Sequence, residues 1–186
     1  MLAACDRIGT SKYERPRARA MIPLMLHTGL RISDVATLAR DCVRDGKMML
    51  FTGKTGDHIL LPIPPELRNV LDLLPAPWGG DHGYFFWNGD ADRESTGRRA
   101  SRSLQPAFRP SKVKNAHAHR FRHTLASAIL ARGGTMADMA DVLGISEHIP
   151  LPLRQLVGGP PGTNLDDHAD TVRRILQKMP RLRVAI

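Results

Sequence analysis

Three short segments carry side chains suited to gripping a phosphodiester. The first is Thr28-Gly29-Leu30-Arg31-Ile32-Ser33-Asp34, which fixes an arginine at a helix junction. The second is Lys54, at the tip of the glycine-bracketed loop Gly53-Lys54-Thr55-Gly56-Asp57. The third is His119-Arg120-Phe121-Arg122-His123, opening a helix in which His119 and Arg122 share a face. Cleaving a phosphodiester without a metal needs cations on the non-bridging oxygens, an acid for the leaving oxygen and an in-line nucleophile. Arginine suits the first task, because its planar fork donates two parallel hydrogen bonds and keeps its charge.

Several elements must position these groups. Apolar residues at helical spacing predict a helix over 16–30, with Pro23 as a possible kink and Thr28-Gly29 as its stop. A second helix is predicted from Ser33 as N-cap, with Val35, Leu38 and Ala39 facing a core. Cys42-Val43-Arg44, the turn dipeptide Asp45-Gly46, and strands over 47–52 and 58–61 predict a small antiparallel sheet around the Lys54 loop. Pro64-Pro65 starts a helix whose face is Leu67, Val70, Leu71 and Leu74. Within the Pro-, Gly- and Asp-rich residues 75–93, Tyr84-Phe85-Phe86-Trp87 is predicted as a short buried strand. Helices follow over 95–108, with Arg98, Arg99 and Arg102 outward, then over 119–132 and 135–143 with Gly133-Gly134 between. Residues 150–164 hold four prolines and three glycines without periodicity, and 166–178 is helical again. The expected fold class is mainly α with a small antiparallel β-sheet.

The chain has 186 residues, enough for one domain with a substantial core. Its 27 Lys+Arg against 18 Asp+Glu leave a formal charge of +9, and the isoelectric point is about 10.4. That field favours polyanions, nucleic acid first and an anionic membrane surface second. No apolar run is long enough to span a bilayer or to serve as a signal peptide. Cys5 and Cys42 read as free thiols, which suits a cytoplasmic protein.

Two of these segments, and a third farther along the chain, resemble boxes of the tyrosine recombinases (phage integrase type). Thr28 to Asp34 is similar to their first-arginine box, and His119-Arg120-Phe121-Arg122-His123-Thr124 to their second. Met139-Ala140-Asp141-Val142-Leu143-Gly144 resembles the helix leading to their Leu-Gly-His-Ser motif. The likeness covers roughly residues 14–149, and three boxes in order, with a lysine hairpin between the first two, make it specific. It implies the DNA breaking-rejoining catalytic-domain fold, with residues 1–13 a linker remnant, 150–164 an altered segment and 165–186 a C-terminal helix and tail. It also implies that Arg31 and Arg122 clamp a scissile phosphate, that His119 donates a hydrogen bond or shuttles a proton, and that Lys54 is the general acid. Lys47 is the rival for that lysine. The family reaction, site-specific recombination through a phosphotyrosine, uses double-stranded DNA and neither metal nor cofactor nor small-molecule substrate. Its members assemble as oligomers on DNA by exchanging C-terminal tails.

The chain departs from that pattern in three places. Ile145 stands where the family places His or Trp and cannot donate a hydrogen bond. The family tyrosine would fall at Arg154, whereas the only tyrosines, Tyr13 and Tyr84, lie far upstream. The expectation for 150–164 is a stretch encoded out of frame, with the frame restored near Leu165. Finally, 30 residues precede Arg31, too few for the family's N-terminal DNA-clamping domain. The expectation is a DNA-binding domain that does not cleave and is a monomer when free.

Other readings of these residues stand beside that one. His119 and His123 are at metal-ligand spacing, but no carboxylate or cysteine joins them and Arg120 and Arg122 would repel a cation. Residues 135–148 can be read as a helix-turn-helix with Gly144 at the turn, which would suit a non-catalytic regulatory DNA-binding protein. A mobile-element remnant without selected function is the third. Arg98, Arg99, Arg102 and Arg109 form either a DNA-contact stripe or a solvated face.

Overall fold

A computed structural model describes residues 13–51, 58–77, 83–109 and 116–143. It is mainly helical, with one three-stranded antiparallel sheet. The centre is α1 (Glu14–Thr28), which packs against α2 (Ile32–Ala36), α3 (Pro65–Asp72), α4 (Arg93–Phe108) and α5 (His119–Ala131). Its buried residues Ala18, Ala20, Met21, Ile22, Leu24 and Met25 lie on several sides of the helix. A helix apolar on several sides must run through a core rather than along it. Pro23 is buried inside α1, and the helix continues past it to Thr28. There Gly29, at φ 66°, takes the left-handed C-cap and donates its N–H to Met25 O at 2.8 Å.

The helix expected to be capped by Ser33 differs. Arg31 is the N-cap of α2, Ser33 lies inside the helix, and the helix stops at Ala36. Leu38 is buried beyond the helix end, and Ala39 pairs its backbone with Tyr84. Packing explains the displacement, because α2 lies tight against α4. A Cβ at Gly97 would stand 3.0 Å from Ser33 Cβ and 3.1 Å from its Cα.

The sheet has the order β1 (Val43–Arg44), β2 (Lys47–Phe51), β3 (His58–Pro62). Asp45 at φ 50° and Gly46 at φ 69° make the two left-handed residues that match the twist of a tight hairpin. Met48 and Leu50 face the core, while Met49 and Phe51 face outward.

Tyr84 to Trp87 do not form the expected strand; only an isolated bridge joins Ala39 to Tyr84. Phe85 and Phe86 are both buried, whereas successive strand side chains point to opposite faces. The segment is held by its backbone instead. Phe85 N–H donates to Leu38 O at 3.0 Å, and the Arg17 guanidinium donates to Phe86 O.

Asp92 starts α4 earlier than expected by accepting from Ser95 N–H at 2.9 Å. Thr135 and Asp138 cap α6 (Met136–Leu143) reciprocally, Thr135 N–H to Asp138 Oδ2 at 2.7 Å and Asp138 N–H to Thr135 Oγ1 at 3.1 Å. One contiguous apolar cluster joins α1, the sheet, α3, α4 and α5, extending to Val142 and Leu143 of α6. Among the described residues, no helix is long and apolar enough to cross a membrane. Cys5, residues 150–164 and the helix expected over 166–178 lie outside the described residues, as does Gly144 of the helix-turn-helix reading.

Candidate functional site

The end of α1, the start of α2, the first turns of α5 and the end of α6 meet at one junction. Arg122 is 7% exposed and donates through Nη1 to Gly29 O at 3.0 Å and through Nη2 to Leu143 O at 2.6 Å. One guanidinium therefore ties α5 to both the α1–α2 turn and α6. Gly29 suits this crossing because it holds positive φ and has no side chain. A Cβ there would come within 2.4 Å of Leu143 Cδ2 and 2.9 Å of Leu125 Cδ2.

Arg31 enters from the α2 N-cap, half-buried, and its Nη1 has no hydrogen-bond partner among the described residues. The charges of Arg31 and Arg122 repel. Burial first, then Arg31, lowers the Arg122 pKa to about 10, while Asp34 acts in the other direction. Arg122 therefore stays charged at neutral pH. Asp34, buried on α2, pairs with Arg93 from the first turn of α4.

His119 opens α5 and is exposed, with its ring edge-on to His123 at 4.7 Å between centroids. Desolvation lowers its pKa, with smaller contributions from His123, Arg122, His117 and Arg31. A neutral ring beside two guanidinium groups can donate a hydrogen bond or carry a proton.

The structure thus brings together Arg31, Arg122 and His119, which are far apart in sequence. Lys54 lies outside the described residues, and its rival Lys47 begins β2 opposite Pro62, half-buried. Of the outward arginines, Arg98 pairs with Glu94 at 2.9 Å and Arg99 with Asp90 at 3.1 Å. These two belong to a solvated, self-paired face. Among the described residues no cluster of His, Cys, Asp or Glu has the composition of a metal site. The pairing of Asp34 with Arg93 was missed by sequence reasoning. Asp34 sat unassigned in the first box, and Arg93 is preceded by an irregular loop with no periodicity to mark it.

A second histidine sits beneath the junction. His27, in the last turn of α1, places Nε2 3.0 Å from Pro62 O of β3. Burial lowers its pKa below the usual 6.5, outweighing the carbonyl's opposite pull. A depressed pKa favours the neutral ring in the folded state, so this contribution is complete above pH 6.5 and is lost as pH falls. The urea midpoint should therefore be lower at pH 5.5 than at 7.5, and His27→Gln should narrow the gap. Equal gaps in both proteins would show that His27 does not carry the effect.

A mainly helical domain that crowds two arginines and a histidine at one interhelical junction has the chemistry of a phosphate-binding protein. Comparison with known proteins makes the class specific: the phage integrase family model matches residues 1–148, and the chain belongs to that family. Tyrosine recombinase XerC of Xanthomonas campestris pv. campestris is 30% identical over 133 residues, covering 70% of this chain and 41% of that protein. The XerC of Rickettsia conorii is 24% identical over 152 residues, covering 75% and 47%. The chain spans less than half the length of these curated relatives. The integrase of mycobacterium phage Brujita has a similar fold, with TM-score 0.60 at 20% identity over 94% of this chain and 56% of that one. The site-specific recombinase XerH, solved with its difH substrate before cleavage, gives 0.59 at 16% identity over 89% and 49%. The mainly helical fold with its small antiparallel sheet is that of tyrosine recombinase and integrase catalytic domains.

Proposed function

We propose that residues 14–149 form the phosphate-gripping domain of a site-specific tyrosine recombinase, and that this chain binds duplex DNA without cleaving it. Arg31 and Arg122 take the non-bridging oxygens of one phosphate, His119 adds a hydrogen bond or proton shuttle, and Lys54 is the general acid of the inherited machinery. Neither metal nor cofactor enters this chemistry. The observation that carries the reading is the pairing of like charges at the junction. Arg122 is buried beside Arg31, its pKa held down by burial and by that neighbour, and Arg31 Nη1 has no partner among the described residues. Holding two guanidinium groups together opposes folding unless an anion joins them. XerH bound to difH and lambda integrase as a dimer on a COC′ core site support DNA as that anion's source.

The tyrosine inventory of residues 1–186 supports the absence of cleavage. Tyr13 precedes α1 and stands at the end opposite Thr28–Gly29, separated by roughly 20 Å of helix. Tyr84 packs its ring edge-on against Trp87 at 4.7 Å. The two arginines and His119 stabilise and protonate, but none is the oxygen nucleophile of a phosphotyrosine. The cytoplasm is the proposed compartment, and the free chain is proposed to be a monomer, because the segment through which the family assembles is the part altered in sequence.

Trapping on a nicked duplex, resolved on a denaturing gel beside a native binding gel, tests both parts. Binding without a covalent band is the expected result. A DNA-linked band would overturn the non-cleaving assignment. Binding unaltered by Arg31→Ala and Arg122→Ala would overturn the clamp.

A further inference from the structure

One ion pair joins the first box to an arginine outside all the boxes, with a consequence for the clamp. Arg93, the first residue of α4, reaches across 59 sequence positions and donates through Nη2 to Asp34 Oδ1. The Asp34 side chain is 2% exposed and the Arg93 side chain 40%. Asp34, on α2, is three residues from Arg31 at that helix's N-cap, and its charge acts on Arg122. A buried carboxylate so placed has two opposite effects. It offsets the repulsion between the two arginines, and it is also an internal anion able to occupy the guanidinium groups that a phosphate needs.

We infer that Arg93 is a positioning residue of the phosphate clamp: by engaging Asp34 from α4, it keeps that carboxylate from pairing with Arg31 and Arg122. This inference rests on the clamp assigned above and extends it to a residue outside all three boxes. Geometry supports the role. α2 and α4 pack with Gly97 directly against Ser33, so the pair spans an interface with little freedom to slide. Charge counting agrees. Arg31, Arg122 and Arg93 against Asp34 leave an excess of two positive charges, suited to an anion. Without Arg93 the excess is one, and Asp34 competes for it.

The full chain, titrated with inorganic phosphate, tests this through the guanidinium Nε–Hε resonances of Arg31 and Arg122. In the parent protein both resonances move. Arg93→Gln should weaken phosphate binding about tenfold, which corresponds to about 1.4 kcal/mol of competition from the freed carboxylate. Adding Asp34→Asn to that variant should recover most of the loss, because the competing carboxylate is gone. Arg93→Lys, which keeps the charge and is the milder change for folding, should stay within roughly threefold of the parent. Urea midpoints of the same variants separate positioning from fold support: a residue that only braced α2 against α4 would lose binding in step with stability, whereas competition by Asp34 lowers affinity in protein that is still folded. Unchanged binding in Arg93→Gln, or a loss that Asp34→Asn leaves in place, overturns the inference while the clamp stands. If phosphate moves neither resonance in the parent, the clamp falls, and this inference with it.

Discussion

Arg122→Met should shift folding stability by at most about 2 kcal/mol while weakening duplex DNA binding by about thirtyfold. The two effects separate because Arg122 contributes to each with a different sign. Its guanidinium donates to Gly29 O and Leu143 O, and losing those donors costs about 1–3 kcal/mol for each carbonyl left without water. Against that, the variant removes a buried charge whose ionised form is disfavoured by burial and by Arg31. Replacing such a charge with an apolar side chain of similar length is often neutral or stabilising by a few kcal/mol. The terms offset to within about 2 kcal/mol. DNA has no such compensation. A charge-assisted phosphate contact is worth about 2 kcal/mol, which corresponds to the thirtyfold loss. The slope of log affinity against log salt should also fall by about one counterion. Urea melts together with binding at two salt concentrations read both quantities. Unchanged affinity and slope would make Arg122 a purely structural strut.

Gly29→Ala should be the most destabilising single-methyl change at this junction. The residue sits at φ 66°, where an L side chain costs about 1 kcal/mol. The added Cβ would overlap Leu143 Cδ2 at 2.4 Å and Leu125 Cδ2 at 2.9 Å, and overpacking of this kind costs about 1–3 kcal/mol. A combined loss near 3 kcal/mol lowers Tm by roughly 9 °C for a domain of this size. The same methyl pushes α6 and α5 away from the carbonyl that receives Arg122, so phosphate binding weakens as well. Leu143→Ala in the same chain should recover the part due to overlap and leave the backbone part. Additive losses in the double variant would show that the crowding is not with Leu143.

Much of the fold was legible because helices and hairpins are written in local patterns. The apolar spacing of α1, the Pro64-Pro65 start of α3, the Asp45-Gly46 turn and the Gly133-Gly134 break each act over a few residues. The boxes were legible for the same reason: Thr28 to Asp34 and His119 to Thr124 are contiguous strings. Where the local signal misled, packing had overridden it. Ser33 is a favourable cap, yet α2 is seated by its contact with Gly97 and begins after Arg31. Tyr84 to Trp87 look like a strand by composition, yet the core receives both phenylalanines side by side.

The sequence alone therefore determined the element order, the basic character and the residue types of the clamp, since each depends on side chains near one another along the chain. Tertiary structure decided what holds the clamp. Arg122 reaches carbonyls 93 and 21 residues away, and Arg93 meets Asp34 across 59. A backbone carbonyl is the same group at every residue, and a surface arginine is the commonest of signals, so neither marks its partner in the sequence. Only the closing of α1, α2, α4, α5 and α6 around one core brings those atoms within hydrogen-bonding reach.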